Sequence, residues 1–112
     1  METNLAEHAD RLAALGNEAR LGILKLLLTQ YPGEMSAGDI SRAAAIPCST
    51  LSHHLDRLRR EGLVESRKER QWIWYRANAT TLGDLLHFLY HDCCSNCDVD
   101  LETTPRVREN RS

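Results

Sequence analysis

No stretch of the sequence approaches the roughly eighteen consecutive apolar residues of a membrane-spanning helix, so no membrane partner is expected. The first residues, METNLAEH, carry acids where a secretory signal is basic and then apolar, and a cytoplasmic location is expected. Glycine (six) and proline (three) are sparse, and there is neither a biased tract nor an internal repeat, which argues against disorder along the chain and against a repeat architecture. With 112 residues the chain is also short of the length for two catalytic domains. At that size about two-thirds of the unfolded surface can be buried, enough for one modest core. An excess of basic charge is missing as well, since the net charge is −2. Its distribution matters more than its sum. Residues 49–76 hold seven basic side chains against four acidic ones, a local net of +3. A salt-bridged, solvated helix face gives the same count, so charge alone does not decide the partner.

The hydrophobic spacing organises the rest. Leu5, Ala9, Leu12, Ala13 and Leu15 predict a helix from about residue 4 to 15, stopped by Gly16, with Asn17 capping the next helix. That second helix is apolar at 21, 23, 24, 26, 27 and 28, too much of its circumference for a surface helix, and belongs to the core. Ser36 caps a short third helix (36–44), Ile46-Pro47 ends it, and a fourth begins at Cys48 or Ser49 and runs to Glu61, closed by Gly62. From Leu63 the period becomes two, and β-branched and aromatic runs on either side of Lys68–Gln71 predict a hairpin over 63–76. In it, one of the alternating pairs Trp72/Trp74 and Ile73/Tyr75 is expected to pack on the helices and the other to stay partly exposed. Helical spacing returns from Asn78 to about Cys94. This order predicts a mainly α chain with one β-hairpin, a winged helix-turn-helix over residues 1–97, followed by a loose polar tail at 98–112.

The fourth helix divides by face. Leu51, Leu55 and Leu58 point inward, leaving Ser49, Thr50, Ser52, His53, Asp56 and Arg57 outward, a polar half able to donate to phosphates and base edges of double-stranded DNA. The competing reading is that the hydroxyls cluster there because they cap helices. Arg67, Lys68 and Arg70 fall at the wing tip, where basic side chains reach a neighbouring groove or phosphate, or simply decorate a solvated turn.

Three ordered stretches, LGNEARLGILKLL (15–27), STLSHHLDRLRREGLV (49–64) and RQWIWYR (70–76), resemble those of the ArsR/SmtB metalloregulatory repressors, and the resemblance spans residues 5 to about 92. It implies a homodimer joined by the first and last helices, seated on an operator overlapping a promoter and displaced by an inducer. It also implies that Ser49, Thr50, Ser52, His53 and the wing contact DNA. The Cys-x-Cys of the family's arsenic and cadmium sensors is absent, its place taken by Ser36 and Gly38. The paired zinc ligands of the last helix are lacking at its start (Ala79, Thr80, Thr81), which leaves His87, His91 and Asp92 as half a site.

Three of the four cysteines remain, in the run CCSNC at 93–97. Clustered cysteines in a reducing compartment serve as metal ligands or reactive thiols rather than disulfides. On a continuing helix Cys93 and Cys97 are four apart and Cys94 and Cys97 three apart, so the sulfurs converge on one edge. Three thiolates without a fourth ligand suit pyramidal trivalent arsenic or antimony better than tetrahedral zinc, which makes arsenite or antimonite the expected inducer. Other thiophiles, such as a methylated arsenical or cadmium, and a Cys94/Cys97 redox switch are the alternatives within the regulator class. An architectural DNA-binding protein without a ligand is a third. A small CxxC oxidoreductase is disfavoured because a helix, not a strand, precedes the motif, and no enzyme activity is expected. Cys48, alone before the fourth helix, is either a reactive thiol or passive.

Overall fold

A computed structural model describes residues 2–92. The first helix, α1 (Glu2–Leu15), gives way at Gly16-Asn17 to α2 (Glu18–Gln30), whose N-terminus is capped as expected: the extended Asn17 accepts the Arg20 amide through Oδ1 at 3.0 Å. Ile23, Leu24 and Leu27 of α2 lie in the core. Next come a two-residue strand, β1 (Met35–Ser36), and α3 (Ala37–Ala44), capped by Ser36 Oγ accepting the Asp39 amide at 3.2 Å. Left-handed Ala45 (φ 58°) ends α3, and after Ile46-Pro47 the chain enters α4 (Cys48–Arg60), with Leu51, Leu55 and Leu58 buried.

Gly62 (φ 77°) closes α4. The Leu63 amide donates to the Leu58 carbonyl and the Gly62 amide to the Arg59 carbonyl, both at 3.0 Å, the paired bonds that satisfy the last carbonyls of a helix ended by a left-handed residue. A Cβ at Gly62 meets only ordinary contacts with Thr81, so the cost of Gly62→Ala is that of the backbone conformation. It is expected to be about 1 kcal/mol, read as a melting temperature lower by about 4–8 °C.

The wing is β2 (Val64–Glu69) and β3 (Trp72–Ala77), joined by Arg70 and Gln71, with Arg70 left-handed (φ 61°). β3 pairs antiparallel with β2 on one side and β1 on the other, in the order β1-β3-β2. The expected hairpin is therefore part of a three-stranded sheet. Two residues of β1 are too few to show a period of two, and Ser36 signals only the cap it also provides. Exposure along β3 follows distance from the wing root: Trp72 and Ile73 are exposed, Trp74 and Tyr75 half-buried, Ala77 buried. The strand outreaches the helices at its tip, so both faces are wet there, and each alternating pair has one exposed and one half-buried member instead of one pair packing as a unit.

α5 (Ala79–His87), capped by Asn78 Oδ1 on the Thr81 amide (3.1 Å), widens into a π-helical turn over Phe88–Asp92, where an uninterrupted helix to about Cys94 was expected. The Phe88 ring stacks on His8 of α1 at 4.1 Å between centroids. His8 is buried, and its Nδ1 has no hydrogen-bond partner among the described residues. The architecture is a winged helix-turn-helix: mainly helical, with a small antiparallel sheet. Cys94 and the expected tail at 98–112 lie outside the described residues. No helix among the described residues is long and apolar enough to cross a membrane.

Candidate nucleic-acid interface

The inward leucines of α4 fix its outward face. Ser49, Thr50, Ser52, His53 and Asp56 are all exposed, as the spacing predicts. The hydroxyls do not cap the helix: the N-cap position is Pro47, which has no side-chain cap, and Ser49 and Thr50 stand within the first turn. The first-turn amides thus lack a side-chain acceptor, and two small hydroxyls lie beside them, a surface suited to a phosphate oxygen. Ser52 Oγ donates to the Ser49 carbonyl at 3.0 Å, which orients the hydroxyl and leaves its lone pairs outward. Cys48, at the same helix end, is a free, exposed thiol.

α4 is braced from behind by Arg20 of α2. Its Nε donates to the Ala14 carbonyl at 2.6 Å and its Nη1 reaches His54 Nδ1 at 3.4 Å, tying the α1–α2 turn to the helix that carries the polar face. Arg11 Nε donates to the Glu61 carbonyl at 3.3 Å, fastening α1 to the other end of α4. Arg57, expected on the outward face, is half-buried on its flank and pairs with Glu61 at 3.8 Å.

The three wing cations are placed differently from one another. Lys68 and Arg70 are exposed and make no ion pair with a described residue; Lys68 pairs across the strands with Ile73, and Arg70 stands in the loop. Arg67 is held. Its Nε donates to both carboxylate oxygens of Glu34 (3.0 and 2.9 Å), its Nη2 lies 2.8 Å from Glu34 Oε1, and its Nη1 donates to Glu69 at 2.9 Å. This clamp spans 33 residues and fixes the wing to the loop before β1. Arg76 is likewise held, by Glu65 at 2.8 Å.

The Arg67 hydrogen bonds hold the Glu34 carboxyl below its ordinary value of 4.5, against a smaller opposing effect of desolvation. With the folded value below the unfolded one, the clamp's contribution is present above about pH 4.5 and is lost as pH falls through the folded value. Wild type is therefore expected to exceed Glu34→Gln slightly in denaturant midpoint at pH 7, with the difference shrinking as pH falls below about 4.5. Equal midpoints at pH 7 would show that the clamp adds nothing to stability.

Three residues that the sequence did not mark as DNA contacts, Arg59, Ser66 and Tyr75, face the same cleft as Ser52 and His53. Arg59 Nη2 pairs with Asp56 at 2.8 Å. Burial pushes the Tyr75 phenol above its ordinary value, partly offset by Arg59. The period-two alternation with Lys68 was the available signal for Ser66 and Tyr75.

Cys93, Cys94 and Cys97 lie outside the described residues. Within them no group of three or more His, Cys, Asp or Glu is placed to hold a metal ion. The His87 and His91 rings lie 4.1 Å apart at the end of the helix that leads to the cysteines.

Residues 17–66 match the model of the bacterial regulatory protein, arsR family. The transcriptional activator HlyU of Vibrio cholerae is 43% identical over 93 residues, covering 80% of this chain and 83% of that one. Its solved structures include one of reduced HlyU, with a TM-score of 0.62 at 36% identity over 84% of this chain and 96% of that one. The biofilm growth-associated repressor of Xylella fastidiosa is 34% identical over 95 residues, 85% of this chain and 81% of that one. A homodimeric winged helix-turn-helix DNA-binding domain from Mycobacterium bovis, a possible ArsR-family regulator, superposes with a TM-score of 0.66 at 28% identity over 88% of this chain and 92% of that one.

Proposed function

The chain belongs to the arsR family of bacterial regulatory proteins, transcriptional regulators and not enzymes, and we propose that it is a homodimeric repressor released from its operator by trivalent arsenic or antimony. The DNA-binding half rests on the outward face of α4. Four polar side chains, Ser49, Thr50, Ser52 and His53, stand exposed on a helix whose opposite face is buried leucine, with Ser52, its proton held by the Ser49 carbonyl, offering lone pairs as an acceptor. Lys68 and Arg70 supply phosphate contacts from the wing, and Arg57 lies at the edge of the footprint. The dimer rests on apolar surface left uncovered in one copy: Leu5 and Leu12 on α1 and Leu86 on α5 are 50%, 42% and 52% exposed, and the similar Mycobacterium bovis domain is homodimeric.

The inducer half rests on the donor set of Cys93, Cys94 and Cys97. Three thiols can replace the three hydroxyls of arsenous acid, each forming an As–S bond and releasing one water. Such a site would lie directly after the π-helical turn, whose Phe88 packs on α1, so a pull on the end of α5 would be felt at the proposed dimer helices. A second reading, a disulfide between Cys94 and Cys97, is favoured by the likeness to HlyU, a protein with a structure described as reduced. The sign of regulation is part of the proposal, because the relatives include both an activator and a repressor.

The test is fluorescence anisotropy of reduced protein on DNA from its own promoter, titrated with arsenite, antimonite, zinc, cadmium and peroxide. Release by arsenite or antimonite supports the proposal. Release by peroxide alone supports the disulfide. No DNA binding removes the central statement. Ser52→Ala with His53→Ala is expected to weaken promoter binding by about tenfold or more while leaving stability within about 0.5 kcal/mol.

A further inference from the structure

Strand alternation gives the wing two unlike faces. One carries the paired charges, Glu65 opposite Arg76 and Arg67 opposite Trp74. The other carries Ser66 opposite Tyr75 and Lys68 opposite Ile73, and it looks toward α4. Between that face and α4 lies an open cleft of about 430 Å³, walled on the helix side by Ser52, His53, Asp56 and Arg59 and on the wing side by Ser66, Ile73 and Tyr75. Its chemistry is mixed in a particular way. Hydroxyls and a guanidinium can donate to an anion, while Ile73, 41% exposed, offers an apolar surface that none of the described residues covers. A sugar–phosphate strand has these two needs in alternation: oxygens that accept hydrogen bonds, and a C–H surface on each deoxyribose.

The position fits as well as the chemistry. If α4 lies in a major groove and the basic wing tip reaches the adjacent minor groove, the backbone separating those grooves passes between helix and wing. We propose that this cleft is a DNA subsite seating one sugar–phosphate strand, with Arg59 and the Ser66 and Tyr75 hydroxyls on the phosphates and Ile73 against deoxyribose. The proposal rests on the DNA-binding reading above and adds contacts to it. Asp56 has a definite part. It holds Arg59 at 2.8 Å on the exposed surface, and a phosphate arriving in the cleft competes for the same guanidinium. Asp56 therefore opposes DNA of every sequence, a brake on non-specific binding rather than a reader of bases.

The experiment measures affinity for promoter duplex and for a random-sequence duplex as a function of salt, for wild type, Arg59→Gln, Arg59→Lys, Tyr75→Phe and Asp56→Asn, with thermal melting of each. Arg59→Gln is expected to weaken both duplexes about tenfold and to flatten the plot of log affinity against log salt by about 0.9, the signature of one lost phosphate contact. Arg59→Lys keeps the slope. Tyr75→Phe weakens both duplexes severalfold, and Asp56→Asn tightens both by up to about fivefold. These substitutions are conservative or lie on the surface, so melting temperatures near wild type are expected. If Arg59→Gln and Tyr75→Phe bind like wild type while Ser52→Ala with His53→Ala loses promoter affinity, the cleft is not a subsite and the DNA-binding reading stands. If wild type binds neither duplex, both fall.

Discussion

Serine at positions 93, 94 and 97 is expected to leave promoter affinity at the wild-type level and to abolish its response to arsenite. Serine keeps the shape of cysteine and removes the thiolate, the soft ligand that trivalent arsenic prefers over oxygen. The size of the response follows from coupling. An effector acting between two sites typically contributes about 1–3 kcal/mol, which releases DNA about 5- to 150-fold. The triple variant should lose all of it, and each single variant most of it, because two sulfurs hold a pyramidal ion far less well than three. The rigid path for this coupling is short. α5 leaves α-helical geometry at Phe88, the ring stacks on buried His8, and α1 carries Leu5 and Leu12 on uncovered surface. Small shifts of α1 and α5 in a dimer change the separation of the two α4 helices, and half-sites one helical turn apart tolerate little of that. Anisotropy titrations of wild type and the triple serine variant decide the matter: arsenite release that survives in the variant removes the cysteines from the mechanism.

What could be read in the sequence follows from periodicity and caps. Asn17 and Ser36 each cap the helix that follows, and the three leucines of α4 are buried. Their signals are local, a hydrogen-bonding side chain or an i, i+4 spacing, and survive in one dimension. What escaped was set by distant partners or by length. β1 is two residues long and exists because β3 offers it an edge. The left-handed Ala45 carries no sign of its backbone, since glycine is the usual residue there. The same holds within the interface. The exposure of Ser49, Thr50, Ser52 and His53 was legible from the helix face, but three basic residues grouped at the wing proved to be two uncommitted cations and one structural clamp. Nothing near Arg67 in the sequence announces Glu34, 33 residues earlier. The contribution of Arg59 and Tyr75 to the cleft depends on how the wing folds back toward α4, a tertiary fact with only the period-two alternation as a hint.

Leu55→Ala is expected to destabilise the protein by about 2–5 kcal/mol, as a lower denaturant midpoint with little change in slope. Leu55 is 1% exposed and sits between Leu51 and Leu58 on the inward face of α4, within the cluster that also holds Ile23, Leu27 and Ile40. Removing its branched end costs the transfer of those carbons plus the cavity left among rigid neighbours from three helices. Against a total stability of about 5–15 kcal/mol for a domain of this size, that is a large fraction. The effect should reach function through folding alone. α4 presents Ser52 and His53 outward only because Leu51, Leu55 and Leu58 anchor it inward, so the variant should lose promoter affinity in proportion to the population unfolded and recover it at lower temperature or with a stabilising osmolyte. Ser52→Ala with His53→Ala gives the reverse pattern, near-native stability and weak binding that no osmolyte restores. A Leu55→Ala protein that melts like wild type yet fails to bind DNA would mean that α4 reads DNA with the face assigned here to the core.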